Sequence, residues 1–132
     1  MARGRDQHQA RIQAIQRLGR NLSRRCRSLC ELCGRGGIAL HATEVPPLPE
    51  HPNEDAAILI CEACAHQMQT KQPDATGLRF LEQTAWSDIA PVQLAAIQLL
   101  QRLAQQNVSW ATDCLDGLWI DDAIQAKLDC VQ

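Results

Sequence analysis

The chain has 132 residues, enough for one small domain or a domain with helical extensions, so its core cannot be large. Aromatic residues make up only 3% of the chain, and packing therefore has to depend on aliphatic side chains and on any bound metal. The net charge is −2, and no apolar run approaches the roughly 18 residues of a membrane-spanning helix. The polar, arginine-rich N-terminus lacks the apolar region of a signal peptide, so we expect a cytoplasmic protein without a membrane partner.

The first 35 residues are strongly basic. They hold nine arginines against two acidic residues, a net charge of +7, whereas residues 36–132 have a net charge of −9. Arginine suits phosphate, because its guanidinium group binds oxyanions through two parallel hydrogen bonds. Two interpretations stay open: a solvated helix face that attracts acidic segments of this chain or of a second copy, and a face that binds nucleic acid. The candidate phosphate contacts are Arg11, Arg17, Arg20, Arg24 and Arg27.

An amphipathic helix is predicted from about Gln7 to Leu29, within an arginine-rich segment that we place at residues 1–29. Its apolar residues recur in steps of three and four, which puts them on one face. They are Ile12, Ile15, Leu18, Leu22 and Leu29. We expect this face to pack on the C-terminal helices or on a second copy of the chain, while the arginines lie largely in solvent.

Two CxxC pairs follow, CELC at residues 30–33 and CEAC at residues 61–64, with 27 residues between them. A CxxC turn directs two thiolates at one point, and four thiolates about 2.3 Å from a zinc ion complete its tetrahedral shell without room for water. Gly34 follows the first pair, where a positive φ would direct backbone N–H groups at the sulfurs. The sequence predicts one structural Zn²⁺ bound by Cys30, Cys33, Cys61 and Cys64.

Three alternatives to this ligand set exist. The four cysteines could form two disulfides or remain free thiols, although the expected cytoplasmic location disfavours disulfides. Cys26 lies four residues before the first pair and could replace one ligand. Cys114 and Cys130 lack paired spacing, so we interpret them as incidental thiols.

The segment between the two pairs has the pattern of a hairpin. Residues 38–45 alternate as a strand does, a proline-rich loop follows, and residues 58–60 are typical of a short strand that runs into the second pair. Residues 62–71 are compatible with a helix, whose N-terminus would favour thiolate over thiol. This order is that of a treble clef, and a zinc ribbon is the alternative. We place the four-cysteine zinc-binding module at residues 30–72.

Residues 73–132 are predicted to be a helical region. The longest helix should begin after a cap at Ser87 or Asp88 with Pro91 in its first turn, and the last should begin at Asp121 or Asp122. We expect the tryptophans Trp86, Trp110 and Trp119 to be core anchors, because each lies in an apolar helical pattern. The predicted fold class is mainly α with a small zinc-bound β-hairpin, a treble-clef or zinc-ribbon-like knuckle flanked by helices.

The order of several motifs resembles the PhnA family, named after the alkylphosphonate-utilisation operon. These are the two CxxC pairs, LHATEVPP at residues 40–47, AWSDIAPVQ at residues 85–93 and LDGLWID at residues 115–121. The resemblance covers about residues 26–128 and implies a zinc-binding N-terminal part. Members of that family usually continue into a small SH3-like β-domain, for which this sequence has no counterpart.

Enzymatic chemistry is not expected from these residues. Phosphonate hydrolysis would need an open metal site, and the four histidines lack the spacing for one. The HNH nucleases, which are also treble clefs, need a histidine on the strand, a histidine after the second CxxC pair and an asparagine. Those positions fall here on Thr43 and Glu44, on Ala65, and near Ala56, with His66 one step late.

The sequence therefore predicts a PhnA-like structural-zinc protein that is a non-catalytic binding or adaptor module, with a protein partner or self-association. The alternative is a nucleic-acid-binding protein with an arginine-rich helix and an HNH-like, degenerate zinc fold. A fall of affinity for RNA or DNA with salt would favour the alternative, and capture of one specific protein would favour the first interpretation.

Overall fold

The computed structural model describes residues 2–131, with side chains from residue 4 onward, and is mainly helical with one small sheet. The helices are α1 (Ala2–Cys26), α2 (Glu62–Gln69), α3 (Leu81–Thr84), α4 (Ala90–Gln105), α5 (Ser109–Gly117) and α6 (Asp122–Val131). The strands are β1 (Leu40–Glu44) and β2 (Ala57–Cys61), and a 3₁₀ turn at Glu54–Ala56 precedes β2. The predicted mainly helical fold with a β-hairpin is therefore confirmed.

The two strands pair antiparallel, with Leu40 opposite Cys61 and Glu44 opposite Ala57. Every residue of β2 is buried, as its continuous apolar sequence AILIC requires. Ile58 and Ile60 face the main core, whereas Ala57 and Leu59 belong to a second, smaller core with Leu22 of α1. Strand β2 is thus covered on both faces, and this helps to explain why a two-stranded sheet can be stable here.

Helix α4 is the centre of the main core. Pro91 lies in its first turn, as predicted, and the helix is apolar on nearly all sides. Ten of its residues, from Pro91 to Leu103, are buried against α3, α5, α6 and β2.

Helix α6 is capped by Asp121, whose carboxylate accepts the N–H of Ile124 at 2.8 Å. Of the two candidate caps for this helix, Asp121 and Asp122, the first is therefore confirmed. The main core extends from Cys30 to Leu128 and includes three of the four predicted zinc ligands.

Helix α1 differs from the prediction in its end and in its neighbours. It ends at Cys26, and Leu29 lies beyond it with 44% of its surface exposed. Its apolar face packs on the hairpin, where Leu22 is fully buried against Leu59, and not on the C-terminal helices. Sequence periodicity identified the face, but it contains no information on which element covers that face.

The expectation that all three tryptophans anchor the core is wrong. Trp86 is 56% and Trp119 74% exposed. Trp110 packs against the main core, and the guanidinium of Arg79 lies 4.9 Å from the centre of its ring. Trp86 follows the four-residue helix α3 and Trp119 follows α5, so neither has a long apolar helix face to share.

Across residues 2–131, no helix is both long and apolar enough to cross a membrane.

Candidate metal centre

The first CxxC pair lies in a tight turn that backbone hydrogen bonds close. The N–H of Gly34 donates to the carbonyl of Cys30 at 2.8 Å, and the N–H of Cys30 donates to the carbonyl of Arg35 at 2.9 Å. Gly34 has a φ of +80°, the left-handed conformation that glycine adopts without strain and that the sequence predicted. Because the turn is closed on both sides, Cys30 and Cys33 point in the same direction.

The second pair lies where β2 passes into α2. Cys61 is the last residue of β2 and the N-cap of α2, and Cys64 is in the first turn of that helix. Unpaired N–H groups and the helix dipole make this position locally positive, which favours thiolates. The prediction that the second pair begins a helix is therefore confirmed.

The structure brings all four predicted ligands together. Their sulfurs all lie within 4.8 Å of one another, with 3.7 Å between Cys30 and Cys64 and 3.8 Å between Cys33 and Cys61. A disulfide needs about 2.05 Å, and all seven cysteines are free. Four sulfurs placed tetrahedrally about 2.3 Å from a metal would be about 3.8 Å apart. The spacing and the donor chemistry of the cluster therefore fit a tetrahedral metal site.

The other three cysteines lie outside the cluster. The thiol of Cys26 donates to the carbonyl of Ser23 at 3.8 Å and packs in the small core between α1 and the hairpin. Cys114 is half-buried in α5 and Cys130 is exposed on α6. Cys26 is four residues from the first pair in sequence, yet it belongs to the helix and not to the knuckle.

Hydrogen bonds distribute charge unevenly over the metal-free cluster. The hydrogen bond with Cys64 lowers the pKa of Cys30 to about 4, and the backbone N–H groups of Cys33 and Cys61 contribute in the same direction against burial. The same hydrogen bond, together with burial, raises the pKa of Cys64. Burial also raises the pKa of Cys33. One sulfur is thus prepared as a thiolate, while at least two others hold protons that a bound metal would displace.

Glu31, inside the CELC turn, connects the knuckle to two other elements. Its N–H donates to the carbonyl of Leu59 at 2.9 Å, and its Oε1 accepts the N–H of Leu59 at 2.8 Å. Arg25 of α1 binds both carboxylate oxygens, at 2.8 and 2.9 Å. Arg25 also donates to the carbonyls of Glu54 and Ala57, at 2.8 and 2.9 Å. The sequence pattern does not mark either residue, because an ion pair across a helix end leaves no periodic signal.

A second connection attaches the knuckle to the C-terminal helices. Leu32 is buried in the main core with 3% exposure. Its carbonyl accepts the hydroxyl of Thr84, the last residue of α3, at 2.8 Å. The two residues between the first pair of cysteines therefore face opposite ways, Glu31 to α1 and Leu32 to the core.

Arg11 corrects one of the predicted phosphate contacts. Its guanidinium binds both oxygens of Glu44, at 2.7 and 2.8 Å, and donates to the carbonyls of Pro49 and Glu50. The prediction that Arg11 lies free in solvent is therefore wrong. Its side chain joins α1 to the end of β1 and to the proline-rich loop. Arg17, Arg20, Arg24 and Arg27 are exposed, as predicted.

Thr43, Glu44 and Ala65, at positions that an HNH nuclease would use, line one groove of about 580 Å³. His41 on β1 and His66 on α2 are exposed on the walls of the same groove, which Glu62 also lines. Glu44 is bound to Arg11. Within the described part of the chain, the cysteine cluster is the one group of three or more ligating side chains close enough to hold a metal.

Comparison with protein-family models, with curated proteins and with solved structures found no match for this chain. The resemblance to the PhnA family therefore stays a prediction that depends on the order of the sequence motifs.

Proposed function

We propose that Cys30, Cys33, Cys61 and Cys64 bind one structural Zn²⁺ in a treble-clef arrangement. The observation that carries this proposal is the cluster of four sulfurs, which all lie within 4.8 Å of one another, with 3.7 Å between Cys30 and Cys64 and 3.8 Å between Cys33 and Cys61. Four thiolates favour zinc among common biological metals and leave no position for a water or a substrate. The order of knuckle, hairpin and helix supports a treble clef over a zinc ribbon, because Cys61 and Cys64 lie at a helix N-terminus.

The metal would stabilise a protein with a small aromatic content by joining three elements. The knuckle, the end of β2 and the first turn of α2 each contribute ligands, and the knuckle is in turn bound to α1 and α3. Structural zinc contributes on the order of 10 kcal/mol to the folding of small domains. A cytoplasmic location is consistent with this role, because a reducing compartment keeps thiols available for metal.

In this proposal the protein is a PhnA-like, non-catalytic binding or adaptor module, and the zinc centre holds its surfaces in place. The closed ligand shell supports a structural role, and so does the use of Glu44 as a partner of Arg11 instead of as a catalytic group. Its partner would be another protein, a second copy of the chain, or nucleic acid. The exposed Trp86 and Trp119 and the exposed arginines of α1 are the surfaces available for such partners.

Metal analysis tests the ligand set. The purified, reduced protein should contain one zinc per chain, and Cys61→Ser should release it and unfold the hairpin, whereas a Cys114→Ser, Cys130→Ser double variant should retain it. A folded wild-type protein without zinc would refute the proposal. Loss of zinc from a Cys26→Ser variant would mean that the ligand set is wrong.

Activity assays test the non-catalytic role. With Mg²⁺, Mn²⁺ or Zn²⁺ supplied, the protein should neither cleave plasmid DNA nor hydrolyse phosphonates. Metal-dependent cleavage that remains after purification and disappears in His41→Ala would contradict this role.

A further inference from the structure

Helix α1 carries two functionally different groups of arginines. Arg11 and Arg25 lie two heptads apart, on the face that packs against the hairpin, and each has its own buried or nearly buried carboxylate. The side chain of Glu44 is 9% exposed and that of Glu31 is 2% exposed. These two arginines are therefore used to fix the helix to the fold.

The second group lies on the opposite face. Arg17, Arg20 and Arg24 follow one another in steps of three and four, so they form one row along the helix. At 100° per residue, each lies about 140–160° around the helix from Leu22, the centre of the packed face. All three are exposed, and Arg27 is exposed just beyond the helix end. We call these four residues the arginine row.

The arginine row lacks acidic neighbours of its own. Among the side chains of residues 4–131, no carboxylate lies within ion-pair distance of any of its four members, although the chain has fifteen acidic residues. The sequence of α1 contains a single acidic residue, Asp6. Glu44 and Glu31 are bound to Arg11 and Arg25, and the carboxylate of Glu54 accepts the side-chain amide of Asn21 on α1 at 2.6 Å. None of these carboxylates forms an ion pair with a member of the row.

Arg27 occupies a position where glycine would be the relaxed residue. The N–H of Ser28 donates to the carbonyl of Ser23 at 3.0 Å, the hydrogen bond that defines a Schellman motif at the end of α1. The left-handed residue of that motif is Arg27, with a φ of +56°. A long cationic side chain is thus present at a backbone position where glycine is the favoured residue.

We propose that the arginine row binds the phosphate backbone of nucleic acid without reading its sequence. The face is polar throughout, since Gln13 continues the row toward the N-terminus. A protein-binding helix would present apolar or aromatic groups at its centre, and a membrane-binding helix would need an apolar face, which α1 uses on the hairpin. Three exposed guanidinium groups along one helix face, with Arg27 exposed just beyond the helix end, can each bind a phosphate of a nucleic-acid backbone.

This inference builds on the proposed function, because the metal centre holds the element on which α1 lies. Arg25 joins α1 to the knuckle, and Leu22 packs on β2, whose last residue is the proposed ligand Cys61. Removal of the metal should release the helix from this support. The charge would remain, but the row would lose its fixed orientation, and ordered binding should weaken.

Fluorescence anisotropy with a 20-base-pair DNA duplex, and with an RNA strand of the same length, tests the proposal. Four phosphate contacts predict a slope of about −3.6 for log affinity against log salt on the duplex, or about a 150-fold loss between roughly 50 and 200 mM salt. The Arg17→Gln, Arg20→Gln, Arg24→Gln variant should have a slope of about −0.9 and lose only about threefold to fourfold over that range, from a weaker starting affinity.

The matched control removes the same charge elsewhere, as Arg35→Gln, Lys71→Gln, Lys127→Gln. It should bind as the wild type does, and all three proteins should have equal zinc content and equal melting temperature. Equal loss in both variants, binding that ignores salt, or binding to anionic vesicles or polyglutamate in preference to nucleic acid would overturn the inference. A wild-type protein without zinc would refute the proposed function instead, so the two failures are distinguishable.

Discussion

Arg25 Nη2 lies 2.8 Å from Oε1 of Glu31, and this ion pair joins the N-terminal helix to the turn that carries the first two cysteines. The same Oε1 accepts the N–H of Leu59 at 2.8 Å, so one carboxylate oxygen binds both the helix and the second strand. Because the Glu31 side chain is 2% exposed, its charge has little water to compensate for a lost partner. The turn that carries Cys30 and Cys33 is therefore energetically coupled to α1.

Replacement of Arg25 should test this coupling. Arg25→Gln leaves a buried carboxylate with its charge uncompensated, which should lower the free energy of unfolding by about 3 kcal/mol. Arg24→Gln, at the neighbouring exposed position, should change it by less than about 0.5 kcal/mol. Chemical denaturation of the zinc-loaded proteins measures both. Equal effects of the two substitutions would show that the ion pair has no structural role.

Two leucines of the predicted apolar stripe should behave differently. Leu22 is fully buried between α1 and the hairpin, so Leu22→Ala should cost about 3 kcal/mol of unfolding free energy. Leu29 lies beyond the helix end and is 44% exposed, so Leu29→Ala should cost less than about 1 kcal/mol. Thermal unfolding of the pair of variants checks this. A larger loss for Leu29→Ala would mean that α1 continues past Cys26.

This contrast also shows how far the sequence predicts the fold. The step of three and four correctly placed Leu22 on the packed face, because helical periodicity is a local property. The end of α1 was not predicted, since Arg27 and Ser28 both adopt left-handed φ values, which sequence patterns rarely reveal outside glycine and asparagine. The element that covers the apolar face of α1 was also not predicted. That element is the hairpin, which contributes Leu59, and the periodicity of α1 contains no information about it.

The candidate site was more predictable than its surroundings. The CxxC spacing predicted that the four cysteines lie together, and the structure brings their sulfurs within 4.8 Å of one another, because a shared metal is the usual reason for two such pairs in a small domain. Arg25, Glu31 and Thr84 were not predicted, since each acts through a contact that depends on how separate elements pack. The prediction that the tryptophans are buried was wrong for the same reason. Trp119 belongs to an apolar segment, but no neighbouring element among the described residues buries it.

Zinc affinity should depend steeply on pH. Cys33 and Cys64 have raised pKa values and hold protons at neutral pH, whereas the pKa of Cys30 is lowered to about 4 and it is already ionised. Binding must displace at least two protons, so affinity should rise at least about 100-fold per pH unit from pH 6 to 8 and fall as pH is lowered. Since zinc binds the folded state, stability falls in the same direction.

Competition with a chromophoric chelator at pH 6, 7 and 8 measures this slope. Cys114→Ser should leave it unchanged, because that thiol lies outside the cluster. A slope below two protons per zinc would contradict the assigned protonation of Cys33 and Cys64.

Arg27 should show a conflict between stability and binding. Arg27→Gly places glycine at the left-handed position of the Schellman motif, where φ is +56°, and should raise the free energy of unfolding by about 1 kcal/mol. The same substitution removes one member of the arginine row, so the salt slope for duplex DNA should become shallower by about 0.9. Arg24→Gly, inside the helix, should make the slope shallower by the same amount while destabilising the protein by about 1 kcal/mol. Denaturation measures the stability of the two variants, and anisotropy measures their salt slopes. An Arg27→Gly protein that is less stable than the wild type would show that contacts of the arginine side chain outweigh the backbone preference at this position.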